Sequence, residues 1–212
     1  MTLARRLRVL VVTDAGLAAP RTVTEVVAQA LEGGARAIQL RNKGESAREL
    51  LAAGRDLRAL TRDAGALLFV NDRLDVALAL EADGIHVGPD DLPVATVRAH
   101  SPSGFLVGRS ADDPRVAMRA VEDGADYIGC GTVYATATKA DAGEVIGLQG
   151  LAAVVRSVRV PVVGIGGITV ARAGEVASTG AAGVAVVGAV MAAADPEEAV
   201  RELLAPFLAT GA

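Results

Sequence analysis

Eight short, strongly apolar runs, each rich in β-branched residues, recur along the chain at an even rhythm. They are "LRVLVVT" (7–13), "RAIQL" (36–40), "ALLFVN" (66–71), "DGIHV" (83–87), "FLVGR" (105–109), "DYIGC" (126–130), "VPVVGIG" (160–166) and "GVAVVG" (183–188). Runs apolar on both parities suit parallel strands covered on two faces rather than hairpins with one wet face. The longer stretches between them have helical spacing. "TVTEVVAQALEGG" (22–34) puts Val23, Val26, Val27, Ala30 and Leu31 on one stripe and stops at a Gly pair. "DDPRVAMRAVEDG" (112–124) opens with an Asp suited to capping and a Pro suited to the first turn, and closes at Gly124. Eight such units in 212 residues, roughly one per 26, predict a single-domain (β/α)8 TIM barrel spanning residues 1–212. A doubly wound open sheet is the alternative, but the first loop, "TDAGLAAPR", lacks the G-x-G-x-x-G that such a sheet usually carries.

Composition narrows the function. With 51% hydrophobic and 22% charged residues the chain reads as globular, and its net charge of −4 offers no basic face for a nucleic-acid backbone or an anionic membrane. Aromatics make up 2% with no Trp, which removes stacking platforms for single strands. Basic residues precede an apolar run at the N-terminus, but Thr13 and Asp14 cut it at about six residues, short of a secretory core, and no segment approaches a membrane span. A cytoplasmic protein is expected. Its one cysteine, Cys130, reads as a buried small hydrophobe rather than a catalyst. Acidic, helix-covered barrels are also compatible with a homo-oligomer.

In a barrel the loops leaving the C-terminal ends of the strands build the active site. Gln39, Arg41 and Lys43 follow the second run, where alternation would aim all three in a similar direction. Asn71 and Asp72 end the third, Asp90 and Asp91 follow the fourth, Arg109 and Ser110 end the fifth, and Thr136, Thr138 and Lys139 lie in "GTVYATATK" after the sixth. Each alone has a plain reading as a solvated loop, a helix cap or a turn. Together they bring cations, hydroxyls and two separated carboxylates to one mouth, a set suited to Mg²⁺ and a polyphosphate. "GIGGI" (164–168) and "VVGAVM" (186–191) add small residues where backbone amides can approach a phosphate. His86 reads as an ordinary strand histidine. No cluster suits zinc, and no motif supports a Ser-His-Asp triad at Ser110.

These motifs, in this order, resemble the thiamine-phosphate synthase (thiamine-phosphate pyrophosphorylase) family over nearly the whole chain. "QLRNK" is similar to Q-[LF]-R-x-K, "VNDRLDVALALEADGIHVGPDD" to I-N-D-x-x-x-(D/E)-A…A-D-G-(I/V)-H-(L/I)-G-Q-x-D, and "YATATK" to P-T-x-T-K. The resemblance implies transfer of the 4-amino-2-methyl-5-pyrimidinylmethyl group from its pyrophosphate ester to thiazole phosphate, releasing pyrophosphate. It implies Mg²⁺ on Asp72 and Asp91, with Arg41, Lys43, Asn71 and Lys139 neutralising pyrophosphate. Gln39 and Ser110 would lie around the pyrimidine, and Thr136, Thr138, Gly167, Val187 and Gly188 would hold the thiazole phosphate. Of the two carboxylates after the fourth run, the family spacing selects Asp91 over Asp90.

The chain departs from the pattern at Leu10, Pro89, Asp112, Ala135 and Gly188, where the family often has an aromatic, Gln, His, Pro and Ser. Two alternatives are a thiazole tautomerase-like relative and a non-catalytic barrel that binds a phosphate ligand. In the first, the characteristic His would fall at Thr132, which has no acid-base capacity.

Overall fold

The structure is a computed structural model, describing residues 1–42, 44–136 and 144–209. Eight parallel strands close into a barrel in chain order. They are β1 (Val9–Val12), β2 (Ala37–Leu40), β3 (Leu67–Asn71), β4 (Gly84–Val87), β5 (Leu106–Ser110), β6 (Tyr127–Cys130), β7 (Val162–Ile165) and β8 (Gly183–Val186). Among the described residues the helices are α1 (Leu3–Arg6), α2 (Ala15–Ala18), α3 (Val23–Glu32), α4 (Ala47–Asp63), α5 (Leu74–Ala79), α6 (Val94–His100), α7 (Pro114–Glu122), α8 (Gly147–Ser157), α9 (Val170–Ser178), α10 (Gly188–Met191) and α11 (Pro196–Ala209). None of these is long and apolar enough to cross a membrane.

Several helices start where a side chain can satisfy the first turn. Thr22 with Glu25 and Ser46 with Glu49 form reciprocal capping boxes on α3 and α4. Asp113 accepts the amides of Arg115 and Val116 at the head of α7, with Pro114 in the first turn.

Alternation along the strands sorts the apolar residues into two layers. Outward residues such as Ile38, Leu68, Ile85, Val107, Ile128 and Val184 pack under the helices. Each is fully buried, worth about 1.5–3 kcal/mol for a side chain of this size. Inward residues Leu10, Val12, Ala37, Leu67, Phe69, Tyr127, Val163 and Ala185 fill the barrel, with Leu7 and the half-buried Leu3 of α1 plugging its N-terminal end. Glycines at inward positions make room for the rings. A Cβ on Gly108 would lie 2.1 Å from Tyr127 Cζ, and one on Gly129 would lie 2.8 Å from His86 Cε1.

At the N-terminal end of the sheet two aspartates tie neighbouring strands. Asp83, just before β4, accepts Leu68 N at 2.8 Å and Arg58 Nη1 at 2.7 Å. Asp126, just before β6, accepts Val107 N at 2.7 Å and pairs with Arg98, whose guanidinium also reaches the carbonyls of Gly124 and Phe105.

Candidate active site

Because every strand runs the same way, the described strand-end residues singled out by the sequence lie at one end of the barrel. Gln39, Asn71 and Ser110 lie on inward positions of β2, β3 and β5. Gln39 is 4% exposed, so its amide is effectively part of the barrel interior. Arg41 departs from the expected alternation, since β2 ends at Leu40. Thr13 fixes it instead. The Thr13 hydroxyl accepts Arg41 N at 2.9 Å and donates to Arg41 O at 3.2 Å, and Thr13 N donates to Gln39 O at 2.9 Å. The loop after β1 thus holds the loop after β2. Arg41 makes no ion pair among the described residues, and its Nε is buried with no hydrogen-bond partner there. Burying such a donor costs free energy unless an acceptor arrives. Lys43, Thr138 and Lys139 lie outside the described residues.

Asp72 follows β3 with φ 61, a left-handed conformation that Asp tolerates better than most residues. Its N–H donates to His86 O at 2.9 Å, which sets it beside the end of β4. Asp91 folds back so that Oδ2 accepts Gly88 N at 2.6 Å, and Asp91 N reaches Gly88 O at 3.3 Å. That closes a four-residue turn with Pro89 at its second position, where a fixed φ near −65° is favoured. Pro89 therefore has a local reason. Asp90 is exposed and caps nothing, because α6 begins only at Val94 after Pro93.

Asp72 and Asp91 present hard carboxylate oxygens from the ends of adjacent strands, a donor set that fits Mg²⁺, which takes one or two protein carboxylates and fills its shell with water and phosphate. No group of three or more His, Cys, Asp or Glu side chains forms a metal cage among the described residues. Arg109 points outward from β5 into a groove of about 620 Å³ that Asp91 also lines. Burial lowers its pKa from the ordinary arginine value, while Asp91 and Asp90 pull it back up.

Across the mouth the loops after β6 and β7 pack tightly. Val133 N and Tyr134 N donate to Ile165 O and Gly166 O at 2.9 and 3.0 Å. Gly167 has φ 61, and a Cβ there would lie 2.7 Å from the carbonyl oxygens of Tyr134 and Ala135, so only glycine fits. Tyr134 is held by Glu175 at 2.7 Å and by the Arg172 guanidinium, 4.4 Å from its ring centre. Thr136 lies in this loop. Val187 precedes α10 and Gly188 opens it, so both are at a helix start whose first amides have no intrahelical acceptor. Thr132 is buried at the root of the β6 loop.

Two residues at the base of the mouth stand out only in three dimensions. His86 Nε2 lies 2.9 Å from Ser110 Oγ, and His86 Nδ1 lies 3.0 Å from the hydroxyl of the fully buried Tyr127. The signal in the sequence was parity, since both belong to the inward set of their strands. Cys130 is on the outward face, its thiol pushed up to about 12 by burial.

Residues 9–190 match the family described as thiamine monophosphate synthase. The thiamine-phosphate synthase of Roseiflexus sp. (strain RS-1) is 50% identical over 195 residues, covering 92% of this chain and 83% of that protein. That of Pyrococcus furiosus is 47% identical over 203 residues, 96% of each. The solved thiamine phosphate pyrophosphorylase from Pyrococcus furiosus has a TM-score of 0.90 at 45% identity, covering 98% of both chains. A 3-hexulose-6-phosphate synthase, at 22% identity and a TM-score of 0.68, shares the fold alone. The chain belongs to the thiamine monophosphate synthase family.

Proposed function

We propose that the protein is a cytoplasmic thiamine-phosphate synthase. It would transfer the 4-amino-2-methyl-5-pyrimidinylmethyl group from its pyrophosphate ester to thiazole phosphate and release pyrophosphate. The observation that carries this reading is Arg41, which lies at the mouth that also holds Asp72 and Asp91 with its Nε buried and with no ion pair among the described residues, whereas Arg58, whose Nε is likewise buried without an acceptor, is paired to Asp83. A buried cationic donor without an acceptor suits an anionic ligand.

Arg41, Lys43, Asn71 and Lys139 bind and neutralise the pyrophosphate, and Gln39 and Ser110 orient the pyrimidine. Thr136 and Thr138, with the backbone of Gly167, Val187 and Gly188, fix the thiazole phosphate. Asp72 and Asp91 would hold Mg²⁺, which supplies further positive charge to the leaving group when bound. The C–O bond to pyrophosphate breaks with its electron pair on oxygen, the aminopyrimidine ring stabilises the positive methylene, and the thiazole nitrogen donates its lone pair to form the new C–N bond. The side chains contribute charge and position rather than a covalent partner.

The test is ³¹P NMR of purified protein mixed with both substrates and Mg²⁺. One pyrophosphate should appear per thiamine phosphate, turnover should stop with EDTA, and excess Mg²⁺ should restore it. Isomerisation of a thiazole without coupling would favour the tautomerase-like alternative, and ligand binding without turnover the non-catalytic one.

A further inference from the structure

The interior of a small barrel is normally apolar, yet here a tyrosine hydroxyl, an imidazole and a serine hydroxyl run in series from the buried centre towards the mouth. Tyr127 on β6 is fully buried, in an edge-to-face contact with Phe69 at 5.2 Å between ring centres and with Gly108 against its ring. His86 on β4 bridges Tyr127 (3.0 Å from Nδ1) and Ser110 on β5 (2.9 Å from Nε2). Glycines at 108 and 129 leave the space that these two rings occupy. Tyr127 is buried and His86 and Ser110 partly so, and withdrawing such polar groups from water is costly unless each hydrogen has a defined acceptor.

The direction of the hydrogens matters. A neutral imidazole has one N–H and one lone pair, so the tyrosine end decides what the serine end presents. Burial pushes the Tyr127 phenol far above its ordinary pKa, so it keeps its proton. Both hydroxyls compete for the single lone pair of the imidazole, and the phenol, the more acidic of the two and so the stronger donor, gives its hydrogen to His86 Nδ1. The imidazole proton then sits on Nε2 and is given to Ser110 Oγ, which leaves the serine's own hydrogen for the mouth. In the opposite direction Ser110 would spend its hydrogen on His86 and offer a ligand only lone pairs.

We propose that Tyr127 and His86 are positioning residues that orient the Ser110 hydroxyl as a hydrogen-bond donor towards an acceptor atom of the pyrimidine pyrophosphate. This rests on the proposed coupling activity for its substrate and on the barrel geometry for its hydrogen-bond direction, and the two can be tested apart. The chain has two histidines, His86 and His100, so ¹⁵N-histidine NMR with His100→Gln for assignment reads the His86 tautomer directly. The expected result is the Nε2–H form, and an Nδ1–H form overturns the proposal whether or not the enzyme turns over.

In kinetics, Tyr127→Phe should lower kcat/KM for the pyrimidine pyrophosphate about tenfold while leaving KM for thiazole phosphate within about twofold. The double variant Ser110→Ala/Tyr127→Phe should be no worse than Ser110→Ala alone, because Tyr127 acts through Ser110. Additive losses, or equal effects on both substrates, would reduce the series to core packing and overturn it. Protein that makes no thiamine phosphate contradicts the coupling activity, while the histidine spectrum still decides the direction of the hydrogens.

Discussion

The two ends of the barrel use the same residue types in different ways. At the N-terminal end Asp83 and Asp126 are each closed by an arginine and by an amide of the neighbouring strand, so their charges are spent on register. At the C-terminal end Arg41 has its main chain fixed by Thr13 but makes no ion pair among the described residues, while Asp91 uses one oxygen to close its own turn. Paired charge stabilises a fold. Charge that is positioned but not neutralised suits a ligand of opposite sign, and it is held at some cost in stability.

That contrast can be broken by exchanging roles. The largest effect is expected for Arg41→Ala, which should lower kcat/KM by about 100- to 1000-fold, about 3–4 kcal/mol of transition-state stabilisation, with a melting temperature unchanged or slightly raised. Arg98→Ala at the other end should do the reverse. It removes three contacts and leaves Asp126 part-buried without its cation, costing about 3 kcal/mol in urea unfolding while the folded fraction turns over normally. Ser46→Ala should cost about 1 kcal/mol by the same measurement, since it opens the cap of α4 at the mouth end.

The smallest effect is on pH dependence. Hydrogen bonds from Thr22 and Ser46 hold Glu25 and Glu49 below their ordinary carboxyl pKa of 4.5. Each therefore contributes stability above pH 4.5 that is lost as the pH falls through its lower folded-state value. A melting series from pH 6 downwards should show this decline weakened in Glu25→Gln/Glu49→Gln.

Much of this arrangement was legible in the sequence, because strands buried on both faces leave continuous apolar runs. The run at 105–109 became Leu106–Ser110, and the stretch read as opening with a capping Asp and a first-turn Pro formed α7, with Asp113 as the cap and Pro114 in the first turn. Arg41 reached the mouth for a different reason from the one expected, since the strand stops one residue before it and a threonine from β1's loop supplies the constraint. Pro89 became intelligible only once Asp91 was seen to close a turn on Gly88. The Tyr127–His86 contact was not readable. Its partners are 41 residues apart, and the space for their rings is created by glycines on β5 and β6, so the pair follows from barrel closure rather than from any local pattern.

Under the proposed function, carboxylates at the mouth serve the coupling reaction, while Asp83 and Asp126 at the opposite end tie the strands. Asp72→Asn tests it most directly, because asparagine tolerates the left-handed φ of 61 at that position and removes only the charge. Turnover at saturating Mg²⁺ and both substrates should fall at least about 100-fold, with the melting temperature unchanged within about 2 °C. Turnover equal to that of the unmodified protein would contradict the account.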